Sequence, residues 1–143
     1  MFNKKYTPEN ITSLDQNEIF VFGSNLRGLH GGGAARMAVE LFNAKWGQAV
    51  GLQGSCYAIP TKDENIETLD IDKIKIYVDE FITFASQYPE YTFFVTEIGC
   101  GLAGLTPEEV APLFTGALQY SNIILPKRFH DVYLDIMLDY CAF

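Results

Sequence analysis

The sequence predicts a single α/β domain in which helices cover both faces of a mixed, mostly parallel sheet, a three-layer α/β/α fold. Two observations support this prediction. Apolar runs typical of buried strands alternate along the chain with amphipathic stretches of helical period. Two of the strands run directly into glycine-rich loops that lead into a helix. The chain has 143 residues, of which 48% are apolar, so residues 1–143 are expected to form one domain with a full core.

The first strand, loop and helix occupy residues 18–43. Glu18 to Phe22 is almost continuously apolar, as expected of a strand covered on both faces. The first glycine loop (residues 23–33) follows, and a helix is predicted from Ala34 to about Asn43. The spacing is neither that of a P-loop nor GxGxxG. Glycines let the backbone approach an anion closely, and helix N-terminal N–H groups lack internal partners. The pattern therefore favours a phosphate-binding loop.

The next strand ends in a lysine. Ser55 to Ile59 is strand-like and changes abruptly to Pro60-Thr61-Lys62. Ligands of open α/β sheets bind at the carboxyl ends of the strands. Lys62 is therefore the best-placed cation of the chain. Trp46, among apolar neighbours, is predicted to pack in the core.

A second strand, glycine loop and helix follow an amphipathic helix from Ile71 to Tyr88. Tyr91 to Ile98 is a predicted central strand, and it leads into the second glycine loop (residues 99–105). Thr106, Pro107 and Glu109 form a capping-box helix start. That helix is expected to reach about Tyr120, with Leu118 on its inner face. Both loops should lie at the same edge of the sheet.

The sequence predicts the structure of the last part of the chain less clearly. Ser121 to Leu125 is a predicted short strand ended by Pro126. The segment 131–143 is rich in apolar residues without a clear period. It is compatible with a last strand, a helix docked on the sheet or a partner-binding tail.

Charge and cysteine content exclude several classes of function. A net charge of −8 repels nucleic acid backbones. The three cysteines have no CxxC spacing, so we expect no metal site. Without a signal-peptide pattern or a transmembrane-length apolar run, we expect a cytoplasmic protein that does not enter membranes. No cofactor is predicted, and the oligomeric state is left open.

With both loops in view, the sequence resembles the macrodomain family, small α/β/α modules that bind ADP-ribose. In that family an Asn closes a strand and a triple glycine precedes a helix, which resembles Asn25 followed by His30-Gly31-Gly32-Gly33-Ala34. The second loop is similar to Ile98 through Leu105. The branch containing the terminal ADP-ribose protein glycohydrolase is most similar, since it shares the IGCGL stretch and a strand running into Thr61-Lys62. The resemblance covers about Glu18 to Leu125.

The resemblance implies ADP-ribose, or an ADP-ribosylated substrate, as the binding partner, held between the two loops. The ligand-binding residues that it implies are Gly23, Ser24, Asn25, Gly31, Gly32, Gly33, Ala34, Lys62, Gly99, Cys100, Gly101, Leu102, Ala103 and Gly104. The catalytic Asp positions of two hydrolytic branches correspond to Ala35 and Ala103. Binding of ADP-ribose or a close relative is therefore favoured over hydrolysis.

Two alternatives stay open. One is an ADP-ribosyl hydrolase, which removes ADP-ribose from a protein or the phosphate from ADP-ribose 1″-phosphate. Lys62 would be the nucleophile, assisted by Asn25 and by His30 as a proton carrier. Asp63 or Glu97 would then supply the acid or base that Ala103 cannot. The other is a protein-interaction domain that has lost the ligand and uses its apolar C-terminal segment. Cys100 is predicted to be a small turn residue, because nothing nearby activates its thiol.

Overall fold

A computed structural model describes residues 5–141, which form one five-stranded sheet with helices on both faces. The predicted mixed, mostly parallel α/β/α fold is confirmed. The strand order is β2-β3-β1-β4-β5, and only β2 is antiparallel to its neighbour. The strands are β1 (Glu18–Asn25), β2 (Gly51–Gln53), β3 (Cys56–Lys62), β4 (Thr92–Val95) and β5 (Ile123–Ile124). The helices are α1 (Gly33–Phe42), α2 (Ile71–Ser86), α3 (Pro107–Val110), a 3-10 helix (Ala111–Gln119) and α4 (Lys127–Cys141).

Strand β1 supplies both cores because its successive side chains point to opposite faces. Ile19 and Val21 belong to the larger core, which α2, the 3-10 helix and α4 cover. Phe20 and Phe22 belong to the smaller core under α1. This burial on both faces explains the near-continuous apolar run of the strand.

The parallel pairing of β1 with β3 and β4 determines where the loops lie. Asn25, the last residue of β1, is paired with Lys62, the last residue of β3. β4 runs in the same direction on the other side of β1. The carboxyl ends of all three strands therefore meet at one edge of the sheet, as the sequence predicted.

Several local predictions need correction. The predicted helix Pro107–Tyr120 is a single α-helical turn followed by a 3-10 helix, so Leu118 is 52% exposed rather than buried. Trp46 is 61% exposed and does not belong to the core. The predicted strand Tyr91–Ile98 pairs only over Thr92–Val95, because the following residues turn into the second glycine loop.

Two features of the chain's second half agree with the sequence. The capping box is present: the Thr106 hydroxyl accepts from the Glu109 N–H, and the Glu109 carboxylate accepts from the Thr106 N–H. Of the alternatives for segment 131–143, the described part is helical and ends α4 at Cys141; residues 142 and 143 lie outside the described range. Over residues 5–141, no helix combines the length and apolar character needed to cross a membrane.

Candidate functional site

A cleft of about 770 Å³ opens at the edge where β1, β3 and β4 end. Residues of both glycine loops line it, together with the ends of these three strands. The lining residues are Gly23, Ser24, Asn25, Leu29, Gly31, Gly32, Gly33, Ala34, Ala35, Thr61, Lys62, Ile66, Thr96, Glu97, Ile98, Gly99, Cys100, Gly101, Leu102 and Ala103. Nearly all predicted ligand-binding residues are therefore brought to one place.

The first glycine loop presents a row of unpaired backbone donors at the start of α1. Within the described residues, none of the N–H groups of residues 31–35 donates a hydrogen bond. Gly32, the N-cap of α1, supplies no side-chain cap. These N–H groups lie at the positive end of the helix dipole. They are the kind of donors that bind an anion.

Asn25 shapes this loop rather than offering a free amide group. Its Nδ2 donates to the Leu29 carbonyl at 2.8 Å, and its Oδ1 accepts from the N–H groups of Arg27 and Leu29 at 3.2 and 3.0 Å. Three hydrogen bonds thus fold the chain back on the end of β1. Asn25 lines the cleft, but its amide is largely committed to the loop.

A close backbone contact holds the other side of the first loop. Gly28 has a φ of 68°, and a Cβ at this position would lie 2.4 Å from the Gly47 carbonyl carbon. The Gly47 N–H donates to the Gly28 carbonyl at 2.8 Å. Only glycine allows this approach.

The second glycine loop divides its N–H groups between turn and cleft. The Cys100 N–H donates to the Glu97 carbonyl, just before the loop, and the N–H groups of Gly104 and Leu105 donate within it, to the carbonyls of Gly101 and Gly99. Those of Gly99, Gly101, Leu102 and Ala103 donate to no described residue. Gly104 does not line the cleft, which argues against its predicted role as a ligand-binding residue. Its N–H closes a turn instead.

The two loops approach each other across the cleft. A Cβ placed on Gly32 would lie 3.0 Å from Leu102 Cδ1, and one on Gly23 would lie 3.6 Å from the Gly99 nitrogen. Leu102 is 74% exposed, so its side chain rests on the first loop without being buried. The unpaired N–H groups of both loops therefore border a single space.

Three of the residues that line the cleft carry ionisable side chains, namely Lys62, Glu97 and Cys100. The Glu97 carboxylate accepts a hydrogen bond from Arg128 at 2.9 Å and is thus ion-paired. The half-buried Lys62 side chain has no hydrogen-bond or ion-pair partner among residues 5–141. Lys62 is the cation available to a ligand in the cleft.

Cys100 is a poor nucleophile at neutral pH. Burial, followed by the nearby Glu97 carboxylate, raises the pKa of its thiol to about 11. The reactive form of cysteine is the thiolate. This agrees with the expectation that Cys100 is a small turn residue.

His30 does not lie in the cleft, which argues against its predicted role as a proton carrier. Its ring is 1% exposed and packs edge-on against Phe22 and Trp46. Its Nε2 lies 3.2 Å from Gln53 Oε1, and its Nδ1 has no hydrogen-bond partner in the structure. The Gln53 Nε2 group donates to two carbonyls, so Oε1 accepts and His30 Nε2 donates. His30 supports the first loop from behind.

Five lining residues were assigned no role from the sequence, namely Leu29, Thr61, Ile66, Thr96 and Ile98. The two threonines use their hydroxyls inside the fold, donating to the carbonyls of Ser24 and Val21. Ile66 lies in the segment between β3 and α2. Asp63, proposed as an acid or base, does not line the cleft and accepts from the N–H groups of Asn65 and Glu67. Among residues 5–141, no cluster of His, Cys, Asp and Glu is arranged to hold a metal ion.

Comparisons with known proteins establish the fold alone. No model of a protein family matches the sequence, and no curated protein matches it significantly. The chain is similar to a solved structure of a protein of unknown function from Bacteroides thetaiotaomicron, with a TM-score of 0.57 and 16% sequence identity. The similarity covers 76% of this chain and 85% of the other.

Proposed function

We propose that the cleft binds ADP-ribose or a closely related nucleotide diphosphate, with the diphosphate between the two glycine loops. The observation that carries this proposal is the pair of facing rows of unpaired N–H groups, at residues 31–35 and at Gly99, Gly101, Leu102 and Ala103. Most of these N–H groups belong to exposed or half-buried residues, so a ligand can bind them without breaking a hydrogen bond of the fold. Donors left unpaired on both sides of one cleft favour an anion with several acceptor oxygens.

Backbone donors suit an acidic protein. The net charge of −8 disfavours an anionic ligand at long range, but neutral N–H groups hold phosphates without a basic patch. Hydrogen bonds to a charged acceptor contribute roughly 1.5–3 kcal/mol each. Four or five of them are enough for micromolar affinity, about −8 kcal/mol. Lys62 adds a single positive charge at one wall.

The choice of ADP-ribose among diphosphates depends on the resemblance to macrodomains. Both glycine loops and the lysine-bearing strand end occur in the order of that family, and in the structure they border one cleft. A cleft of about 770 Å³ is within the range of small-molecule sites.

Isothermal titration calorimetry with ADP-ribose, ADP-ribose 1″-phosphate, NAD and nucleoside diphosphates tests the proposal. We expect micromolar affinity for ADP-ribose and weaker binding of ligands without the second ribose. Ligand at 100 times its dissociation constant should stabilise the fold by about 2.7 kcal/mol. Absence of heat with millimolar ADP-ribose would contradict the proposal.

A second candidate is hydrolysis of an ADP-ribosyl bond through Lys62. The observation that favours it is the unpartnered Lys62 side chain at the cleft wall. The positions of the family's acidic residues, Ala35 and Ala103, both line the cleft without a carboxylate. Glu97 is the acid that remains, and it is paired with Arg128. Full turnover of an ADP-ribosylated protein by Lys62→Ala would exclude Lys62 from the chemistry.

A third candidate is a protein-interaction domain. The observation in its favour is the C-terminal half of α4, where Leu134, Ile136, Met137, Leu138 and Tyr140 are each more than half exposed. Sedimentation of the wild type and of Met137→Asp over a range of concentrations tests whether this helix associates with a second copy. Association that the substitution abolishes, together with no binding of nucleotides, would favour this candidate.

A further inference from the structure

Ile66 has a backbone conformation that its side chain disfavours. Its φ is 62°, in the left-handed region. Elsewhere in residues 5–141 the non-glycine residues with positive φ are Asn17 and Asn43, and asparagine tolerates this conformation. A β-branched residue there is an outlier that needs an explanation.

The hydrogen bonds of the 63–68 loop impose this conformation. The Asp63 N–H donates to the Glu67 carbonyl at 2.7 Å, and the Ile66 N–H donates to the Asp63 carbonyl at 3.1 Å. The Asp63 carboxylate accepts from the Asn65 and Glu67 N–H groups. Lys62 and Thr68 close the loop as an antiparallel bridge. Glycine or asparagine is the usual residue at the left-handed position of such a tight loop.

Core packing does not explain the choice of isoleucine. Ile66 is 42% exposed and belongs to neither hydrophobic core. The residue instead lines the cleft, as do Lys62 and Leu102. The Thr68 hydroxyl donates to the Ala103 carbonyl at 2.7 Å, which ties this loop to the second glycine loop. The strained residue is therefore held at a defined place in the cleft wall.

We propose that Ile66 is a specificity-determining residue that packs against a planar heterocycle of the bound nucleotide; this inference rests on the proposed function. An apolar side chain excludes water from one face of a ring but offers nothing to phosphates or hydroxyl groups. The ring is either the adenine of an ADP moiety or a second ring at the other end of a dinucleotide, such as the nicotinamide of NAD. Both are flat aromatic rings against which an apolar side chain can pack.

Replacement by asparagine separates ligand binding from stability. Ile66→Asn relieves the strained φ, so we expect an unchanged or slightly higher melting temperature. It also removes the apolar contact, and we expect about tenfold weaker binding of the ligand that carries the ring. Ile76→Asn is the matched control, because Ile76 is 59% exposed on α2 and does not line the cleft. It should keep the affinity and lower the melting temperature slightly, since asparagine is a poor helix former.

The ligands are ADP-ribose, ADP, NAD and ribose 5-phosphate, titrated into both variants and the wild type. If Ile66→Asn binds ADP-ribose, ADP and NAD more weakly by the same factor, adenine packs on Ile66. If only the affinity for NAD decreases, the second ring packs there. Unchanged affinities in Ile66→Asn for every ligand that the wild type binds would overturn the inference while leaving the proposed function intact. A wild type that binds none of the four would overturn both. A lower melting temperature in Ile66→Asn than in Ile76→Asn would show that Ile66 serves stability, which also contradicts the inference.

Discussion

Replacing Gly32 by aspartate places a carboxylate where the proposed diphosphate would bind. The φ of Gly32 is −152°, an extended conformation open to any residue. The nearest atom to a new Cβ is the flexible end of Leu102, at 3.0 Å. Aspartate is a good N-cap, and its oxygens can accept from the unpaired N–H groups of Ala34 and Ala35. The aspartate side chain would thus form hydrogen bonds with the N–H groups that we assign to the ligand.

The expected effects on binding and stability have opposite signs. Loss of two charge-assisted hydrogen bonds amounts to roughly 3–6 kcal/mol, a decrease in affinity of about 10²- to 10⁴-fold. The cap and the helix dipole should stabilise the fold by about 0.5–1 kcal/mol, which raises the melting temperature by about 2 °C. Calorimetry with ADP-ribose and thermal unfolding measure the two effects.

The control is Gly116→Asp, because Gly116 is exposed in the 3-10 helix and does not line the cleft. It adds the same charge to the acidic chain and should leave affinity unchanged. ADP-ribose binding by Gly32→Asp within threefold of the wild type would refute the assignment of these N–H groups to the ligand.

Three further predictions use other parts of the structure. Alkylation of Cys100 by iodoacetamide should be slow at pH 8 and accelerate as the pH approaches the thiol pKa of about 11. Mass spectrometry should show that ADP-ribose protects Cys100 but not the exposed Cys141. Equal labelling of Cys100 with and without ADP-ribose would contradict binding of this ligand in the cleft. Gln53→Leu removes the acceptor of the His30 Nε2–H and should destabilise the fold by about 2 kcal/mol in denaturant titrations; a change below 0.5 kcal/mol would contradict this support of the first loop. Burial raises the pKa of Cys56 to about 12, above its value of about 8.5 when unfolded. The contribution of the buried Cys56 thiol to stability is therefore full below pH 8.5 and is lost as the pH rises from there to about 12. Cys56→Ala should flatten this decline in the free energy of unfolding. Identical pH profiles of stability for the variant and the wild type would show that Cys56 does not cause the decline.

Much of the fold followed from local patterns in the sequence. The alternation of Phe20 and Phe22 with Val21 marks a strand covered on both faces, and the capping box at Thr106 marks a helix start. Such signals depend only on residues that are close along the chain, so they can be recognised in the sequence alone. The two glycine loops were recognised for the same reason, and so was their common edge, because parallel strands end together.

Local sequence patterns gave wrong predictions where contacts with distant parts of the chain determine the structure. The apolar face predicted through Leu118 assumed an α-helix, whereas the chain tightens to a 3-10 helix and turns that side chain to solvent. Trp46 is apolar but lies outside both cores. His30 stands beside the triple glycine in the sequence, yet its ring points away from the cleft towards Gln53. These outcomes depend on residues that are distant along the chain.

The sequence by itself determined four of the five strands, the glycine loops, the lysine at the end of β3 and hence the class of fold. The tertiary structure alone decided which N–H groups are unpaired, that Gly32 and Leu102 meet across the cleft, and that Ile66 lines it in a left-handed conformation. The physical reason is that an unpaired donor or a strained φ results from the hydrogen bonds of the whole neighbourhood. Those bonds join segments that only the packed sheet brings together.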